Sequence, residues 1–228
     1  MDYKINTQEY DDPDLIIAYH SEINGRYQQA IEHFIKVSDK YPDNGVVRRH
    51  LGNAYYHMGN LKLAAEHLER AVELLPDYTK ARYELGLVYY RLARLKKGFE
   101  CMETVLEIDA GFHLAHYWAG IIYYHYGNLH KAKSHFLELS LRNPDFVLAF
   151  YHLGIINLRL GFYKQATEDF NNLIKFNPED ALAYSLMGEA YLNLDMPEEA
   201  ILAYKKALEL DPDDNNARKG LDSLAEKA

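Results

Sequence analysis

The chain has 228 residues, of which 48% are hydrophobic and 13% aromatic, a composition that suits a folded globular protein. Its formal charge of −9 argues against a general nucleic-acid binder, which needs a basic surface to displace counterions. A single cysteine, Cys101, excludes an internal disulfide or a cysteine-based zinc cluster.

Residues 1–10 are polar and lack the basic start and apolar core of a signal peptide, so they read as a short N-terminal arm carrying Tyr3, Ile5 and Tyr10. No stretch reaches the eighteen or so apolar residues that a membrane span requires; the longest candidate, 146–158, is interrupted by His152. The expectation is a cytoplasmic protein without membrane insertion. From residue 11 a period emerges. Five of the seven prolines stand at 42, 76, 144, 178 and 212, at intervals of 34, 68, 34 and 34, and Ala110 occupies the skipped site. Counting back gives units 11–44, 45–78, 79–112, 113–146, 147–180 and 181–214. Gly52, Gly86, Gly120, Gly154 and Gly188 share the eighth place, with Ala18 in the first unit. The twentieth place holds Ala30, Ala64, Gly98, Ala132, Ala166 and Ala200.

Each unit reads as two helices. In the second unit Leu51, Ala54, Tyr55 and Met58 recur at helical spacing, Gly59–Asn60 breaks the run, and Leu61, Ala64, Leu68, Ala71 and Val72 resume it. The closing proline stops the second helix. Each helix is about 20 Å long at 1.5 Å per residue. Small residues at the eighth and twentieth places let the two backbones approach. One such pair cannot bury its own apolar face, whereas stacked pairs can. Residues 215–228 keep Ala217, Leu221 and Leu224 on one face and charge outside it, as a capping helix would. Charge varies along the chain: −4 over 11–44, +2 over 79–146 and −6 over 181–214.

In residues 181–214, Tyr184, Gly188, Tyr191, Ala200, Tyr204, Ala207 and Pro212 stand where the tetratricopeptide repeat (TPR) consensus has them. The chain resembles that family over 11–214. The resemblance implies an all-α, right-handed α-solenoid of six TPR units plus a C-terminal capping helix, acting as a non-catalytic protein-interaction scaffold. It also implies a concave face lined by the first helix of each unit, at its second, fifth, ninth, twelfth and thirteenth places. Carried onto this sequence, those places give Arg49, Tyr83, Tyr117 and Tyr151 at the fifth and Asn53, Leu87, Ile121 and Ile155 at the ninth. Tyr56, Tyr90 and Tyr124 stand at the twelfth, and Arg91, His125 and Arg159 at the thirteenth. Asparagine is usual at the ninth place, so Leu87, Ile121 and Ile155 make this face more apolar than the family requires. Leu114, Leu148 and Leu182 at the second place add to that. Tyrosine supplies large apolar contact with a hydroxyl, and Arg91 and Arg159 supply donors for carboxylates. The expected partner is therefore a protein or peptide with apolar anchors and some acidic residues, held as a helix or an extended segment. The chaperone-tail clamp of some TPR proteins begins here with Arg49 and Asn53, but Tyr83, Leu87, Tyr117 and Ile121 replace its later polar residues.

Two other readings belong beside this one. The arm 1–10 could dock into a neighbouring copy and form a homo-oligomer, or the chain could be the docking subunit of an enzyme complex. Catalytic residues, cofactors and metals are not expected. No phosphate loop or nucleophile motif stands in the sequence, and His113, His116, His125, His130 and His135 fall on different faces of two helices. The third unit departs most from the pattern, with Ala93, Gly98 and Ala110 at places that usually hold Gly, Ala and Pro. Glycine costs roughly 1 kcal/mol against alanine inside a helix. Amide exchange should therefore be faster over 95–98 than over 163–166 of the fifth unit, and equal protection would contradict this.

Overall fold

The computed structural model describes residues 11–226, so the proposed arm 1–10 and the last two residues of the proposed capping segment lie outside it. Among the described residues there are thirteen α-helices and no strands. They are α1 (Pro13–Ile23), α2 (Tyr27–Lys40), α3 (Gly45–His57), α4 (Leu61–Leu74), α5 (Thr79–Arg91), α6 (Leu95–Ile108), α7 (His113–Tyr126), α8 (Leu129–Arg142), α9 (Val147–Arg159), α10 (Tyr163–Phe176), α11 (Ala181–Asn193), α12 (Pro197–Leu210) and α13 (Asn215–Ala225). The starts of α3, α5, α7, α9 and α11 are spaced by 34 residues, and so are those of α2, α4, α6, α8, α10 and α12.

Local chemistry sets these boundaries. Asn44 caps α3 by accepting from the Val46 and Val47 amides, and Asp214 caps α13 by accepting from Asn216 and Ala217. The turn between the two helices of a unit places one residue in the left-handed region. Gly25, Gly59, Gly127 and Gly161 serve there at φ between 71° and 90°, while Ala93 (57°) and Asp195 (58°) adopt it despite their side chains.

The residues form two compact units, one ending at Ile122 and one beginning at Tyr123. In the first, α1 packs on α2, α3 on α4 and α5 on α6, and α2–α3 and α4–α5 contacts join the pairs. Leu15, Phe34, Val47 and Leu51 are almost fully buried there, as are Leu68, Leu85 and Val88. The eighth and twentieth places explain the close approach. A Cβ on Gly52 would lie 2.5 Å from the Leu68 side chain and 3.2 Å from the Ala64 carbonyl oxygen. A Cβ on Gly86 would sit 3.3 Å from the Gly98 carbonyl oxygen. The first helix can seat on the second only because these side chains are missing.

In the second unit α9 packs on α10 and α11 on α12, with Phe170, Leu173, Met187 and Ala190 in its interior. The helix α13 lies against α12, placing Ala217 beside Tyr204 and bringing Gly220 onto the Tyr204 ring. The eleventh place of a unit, Tyr in 55, 89, 123 and 191, is Asn157 here. Asn157 is 2% exposed, and its Nδ2 donates to Asp169 Oδ2 at 2.6 Å. Burial pushes the Asp169 carboxyl up to about 6, against the opposing effects of Asn157 and Lys133. Burial pushes His152, stacked on Phe136 at 4.6 Å, down to about 4, with His125 adding to the effect.

These features set two expected outcomes. At φ 57° an L-residue costs about 1–2 kcal/mol, partly offset by glycine's greater unfolded-chain freedom of about 0.5–1 kcal/mol. Ala93→Gly should therefore raise the urea midpoint by the equivalent of about 0.5–1 kcal/mol, and an unchanged or lower midpoint would contradict it. The two shifted groups act in opposite directions. Folded Asp169 holds a proton that the unfolded chain releases, so its contribution falls as pH rises from about 4 to 6. The unfolded chain protonates His152 first, so that contribution falls as pH drops from about 6.5 to 4. Asp169→Asn leaves the histidine effect alone. A tenfold difference in proton affinity between the folded and unfolded chain is worth about 1.4 kcal/mol, so from pH 7 to 4 the variant should lose about 3 kcal/mol more stability than the wild type. Parallel pH profiles would contradict this.

Candidate functional site

The residues expected to line a binding face come from α3, α5 and α7 in the first unit, and from the end of α7 and α9 in the second. Their helical spacing puts the fifth, ninth and twelfth places of one helix on one side. In the first unit this side contains a cavity of about 230 Å³ lined by Asn53, Tyr56, His57, Leu68, Tyr83, Glu84, Leu87 and Val88. Four of these, Asn53, Tyr56, Tyr83 and Leu87, are residues the sequence marked.

Aromatic rings continue the surface. Tyr90 lies 5.5 Å from Trp118 and Tyr117 lies 5.6 Å from it, while Tyr83 stands 5.2 Å from Phe112. Burial raises the Tyr83 hydroxyl above its ordinary pKa, and a hydrogen bond with the Trp118 indole opposes that rise. Burial likewise raises Tyr117. These hydroxyls remain protonated. Arg91 is exposed, and its guanidinium lies 4.8 Å from the centre of the Tyr56 ring, a cation–π distance. Ile121 is half-buried on α7.

Arg49 takes a different place. It is 5% exposed, its Nε donates to Glu84 Oε2 at 2.9 Å, and it donates to the Tyr78 hydroxyl at 3.3 Å. Burial works against its charge, but Glu84 and Tyr78 raise its pKa on balance. Arg49 therefore braces the floor of the site rather than presenting a cation on its surface. Asn53 is likewise engaged, donating to Glu22 Oε1 at 2.8 Å while His50 bonds the other carboxylate oxygen at 2.6 Å. Burial pushes the Glu22 pKa up, but His50 and Asn53 outweigh it and hold the carboxyl below its ordinary value.

The second unit repeats one element of this chemistry. Arg159 is exposed and lies 4.9 Å from the centre of the Tyr124 ring, with His125 edge-on to the same tyrosine at 5.5 Å. Tyr151 is half-buried; burial raises its hydroxyl pKa, with Asp180 and Tyr124 adding to the effect. Ile155 packs beside Tyr151 and Leu158 against the core. The apolar second places remain open: Leu148 is 51% exposed and Leu182 44%, and in the first unit Leu114 is 44% exposed.

Trp118 and Glu84 escaped the sequence reading. Trp118 is the chain's single tryptophan and sits beside Tyr117, a composition signal that could have drawn attention to it. Glu84 had no such signal, because its pairing with Arg49 joins neighbouring units 35 residues apart. Among the described residues no group of three or more His, Cys, Asp or Glu side chains could hold a metal ion, and no helix is long and apolar enough to cross a membrane. Cys101 is buried, and burial pushes its thiol up to about 11.

Comparison with known proteins bears on the fold. Family profiles described as tetratricopeptide repeat match residues 23–64, 79–112 and 181–214, and one described as TPR repeat matches 52–92. No curated protein sequence matches the chain. Among solved structures it is similar to YrrB, described as a TPR protein with an unusual peptide-binding site, at TM-score 0.77 and 21% identity over 87% of this chain and 100% of YrrB. It is also similar to MamA, at TM-score 0.71 and 21% identity over 74% of this chain and 92% of MamA. A tetratricopeptide repeat protein from Parabacteroides merdae ATCC 43184 superposes at TM-score 0.70 with 19% identity, over 96% of this chain and 99% of its own. Helices returning every 34 residues, small residues at the seam of each pair and profile matches along both units together make this chain a member of the tetratricopeptide repeat family.

Proposed function

We propose that this chain is a non-catalytic protein-interaction scaffold that binds a partner peptide or helix on the face formed by the first helices of its repeats. The TPR fold supports the scaffold role in general. The observation that carries the specific reading is the first-unit cavity: four predicted groove residues line it, and Arg91 is held on its Tyr56 wall. Large half-buried aromatic rings give contact area at small rotamer cost. Each compact unit also leaves second-place leucines open, Leu114 in the first and Leu148 and Leu182 in the second, more apolar surface than a chain without a partner needs. Neither Arg91 nor Arg159 has an ion-pair partner among the described residues, so each guanidinium can take a carboxylate from a partner. YrrB, with the same fold, is described as having an unusual peptide-binding site, which fits a peptide as the ligand class.

The test is a pull-down comparing the wild type with a triple variant, Tyr83→Ala, Tyr117→Ala and Tyr151→Ala. Partner capture should be lost while the far-ultraviolet helical signal persists. Capture that survives with the helices intact would place the binding surface elsewhere.

A further inference from the structure

The outward face of α1 departs from every later first helix. The third, seventh and tenth places are buried on α3 (Val47, Leu51, Ala54) and on α5 (Ala81, Leu85, Val88), and the same places are buried on α7, α9 and α11. On α3 the cover comes from α2, whose Phe34 and Val37 share one cluster with Val47, Leu51 and Ala54. On α1 these places are Pro13, Ile17 and His20, and all three are exposed. Ile16 and Ile23 adjoin them at helical spacing, 50% and 84% exposed. No acid stands on this face: Asp14 is bonded to His33, Glu22 to His50 and Asn53, and the cap Asp12 to Lys40. Beside Ile16 and Ile17 lies a cavity of about 260 Å³ whose wall also includes Asn24, Arg26 and Gln29. The helix α13 is finished differently. Its eighth place, where the glycines of α3 and α5 seat a second helix, is Asp222, which is exposed. Charge there turns away a further helix, whereas α1 presents branched apolar side chains.

Size and attachment limit what can cover this face. It is about 16 Å long and about 10 Å across, small beside the roughly 600 Å² that each partner buries at the low end of specific complexes. A free molecule held there would also lose its translational freedom, whereas a segment already joined to α1 would not. Residues 1–10 are joined to it through Asp11 and Asp12. At about 3.3 Å per residue, residues 5–10 are long enough to return from the cap to Ile23, about 15 Å along the helix. They and the residues before them carry Tyr3, Ile5 and Tyr10, and a tyrosine ring with its hydroxyl suits a cavity of isoleucine and polar walls. We propose that residues 1–10 of this chain dock on the open face of α1, taking the place that α2 takes on α3. The arm is then spent on the end of the repeat array, and the groove-lining side of the first helices stays free for another polypeptide.

Hydrogen exchange of the α1 amides in the full chain tests this with four proteins. They are the wild type, an arm variant (Tyr3→Ser, Ile5→Ser, Tyr10→Ser), a face variant (Ile16→Gln, Ile23→Gln) and the two combined. Both substituted isoleucines are at least half exposed, so the face variant keeps the packing of α1 on α2. Each variant alone should speed α1 exchange by about tenfold, the scale set by burying one isoleucine, and the combination should add nothing further. Wild-type rates should not change when the protein is ten times more concentrated. If either variant leaves α1 exchange unchanged, or if the two effects multiply, the proposal is overturned. Protection that grows with protein concentration would assign the cover to a second copy and would overturn it too. The groove reading stands or falls separately, because none of these positions is among its residues.

Discussion

Everything in this molecule depends on how closely the two helices of a repeat can approach. At Gly52 and Gly86 the first helix presses its backbone against the second helix so tightly that a single methyl group would overlap its neighbours. This contact fixes the rotation of the first helix about its own axis. With the eighth place set against the second helix, the fifth, ninth and twelfth places fall together on one adjoining side of the first helix. Within each compact unit, aromatic rings on successive first helices therefore gather on one side, where contacts such as Tyr90–Trp118 join them.

The polar chemistry follows from the same geometry. At the floor of the site charge is neutralised between adjacent repeats, whereas surface pairs such as Lys96–Glu100 and Arg142–Glu138 lie within one repeat. Arg49 finds Glu84, and His50 and Asn53 find Glu22. Breaking a buried pair such as Arg49–Glu84 would leave an uncompensated charge, which is far costlier than the pair is beneficial. These residues hold the floor of the site in a single arrangement. Arg91 and Arg159, one place beyond the tyrosines, are exposed and rest on ring faces instead. The division between supporting and presenting arginines is set by depth, not by residue type.

Much of this was legible in the sequence, because a repeat prints the same physical demand several times. Glycine at 52, 86, 120, 154 and 188 can be read as a close approach without coordinates, since chance does not align small residues at a constant interval. The all-α fold and the helix boundaries follow from that periodicity together with the proline and Gly–Asn punctuation. What stayed hidden belongs to single repeats or to pairs between them. Arg49 read as a surface cation because its partner lies a full repeat away, where periodicity carries no pairing information. Trp118 occurs once and so has no register to mark it. Asn157 interrupts a column of tyrosines visibly, but its bond to Asp169 and the resulting protonation behaviour depend on burial that no spacing rule supplies.

The central claim is that the aromatic side of the first helices is where another polypeptide binds. Hydroxyl-radical footprinting of the chain with and without its captured partner tests this side chain by side chain. The account predicts protection of Tyr56, Tyr83 and Tyr90, with Leu141 and Leu202 on the second helices, 69% and 68% exposed, oxidised as before. Protection of Leu141 and Leu202 with the three tyrosines unchanged would contradict it.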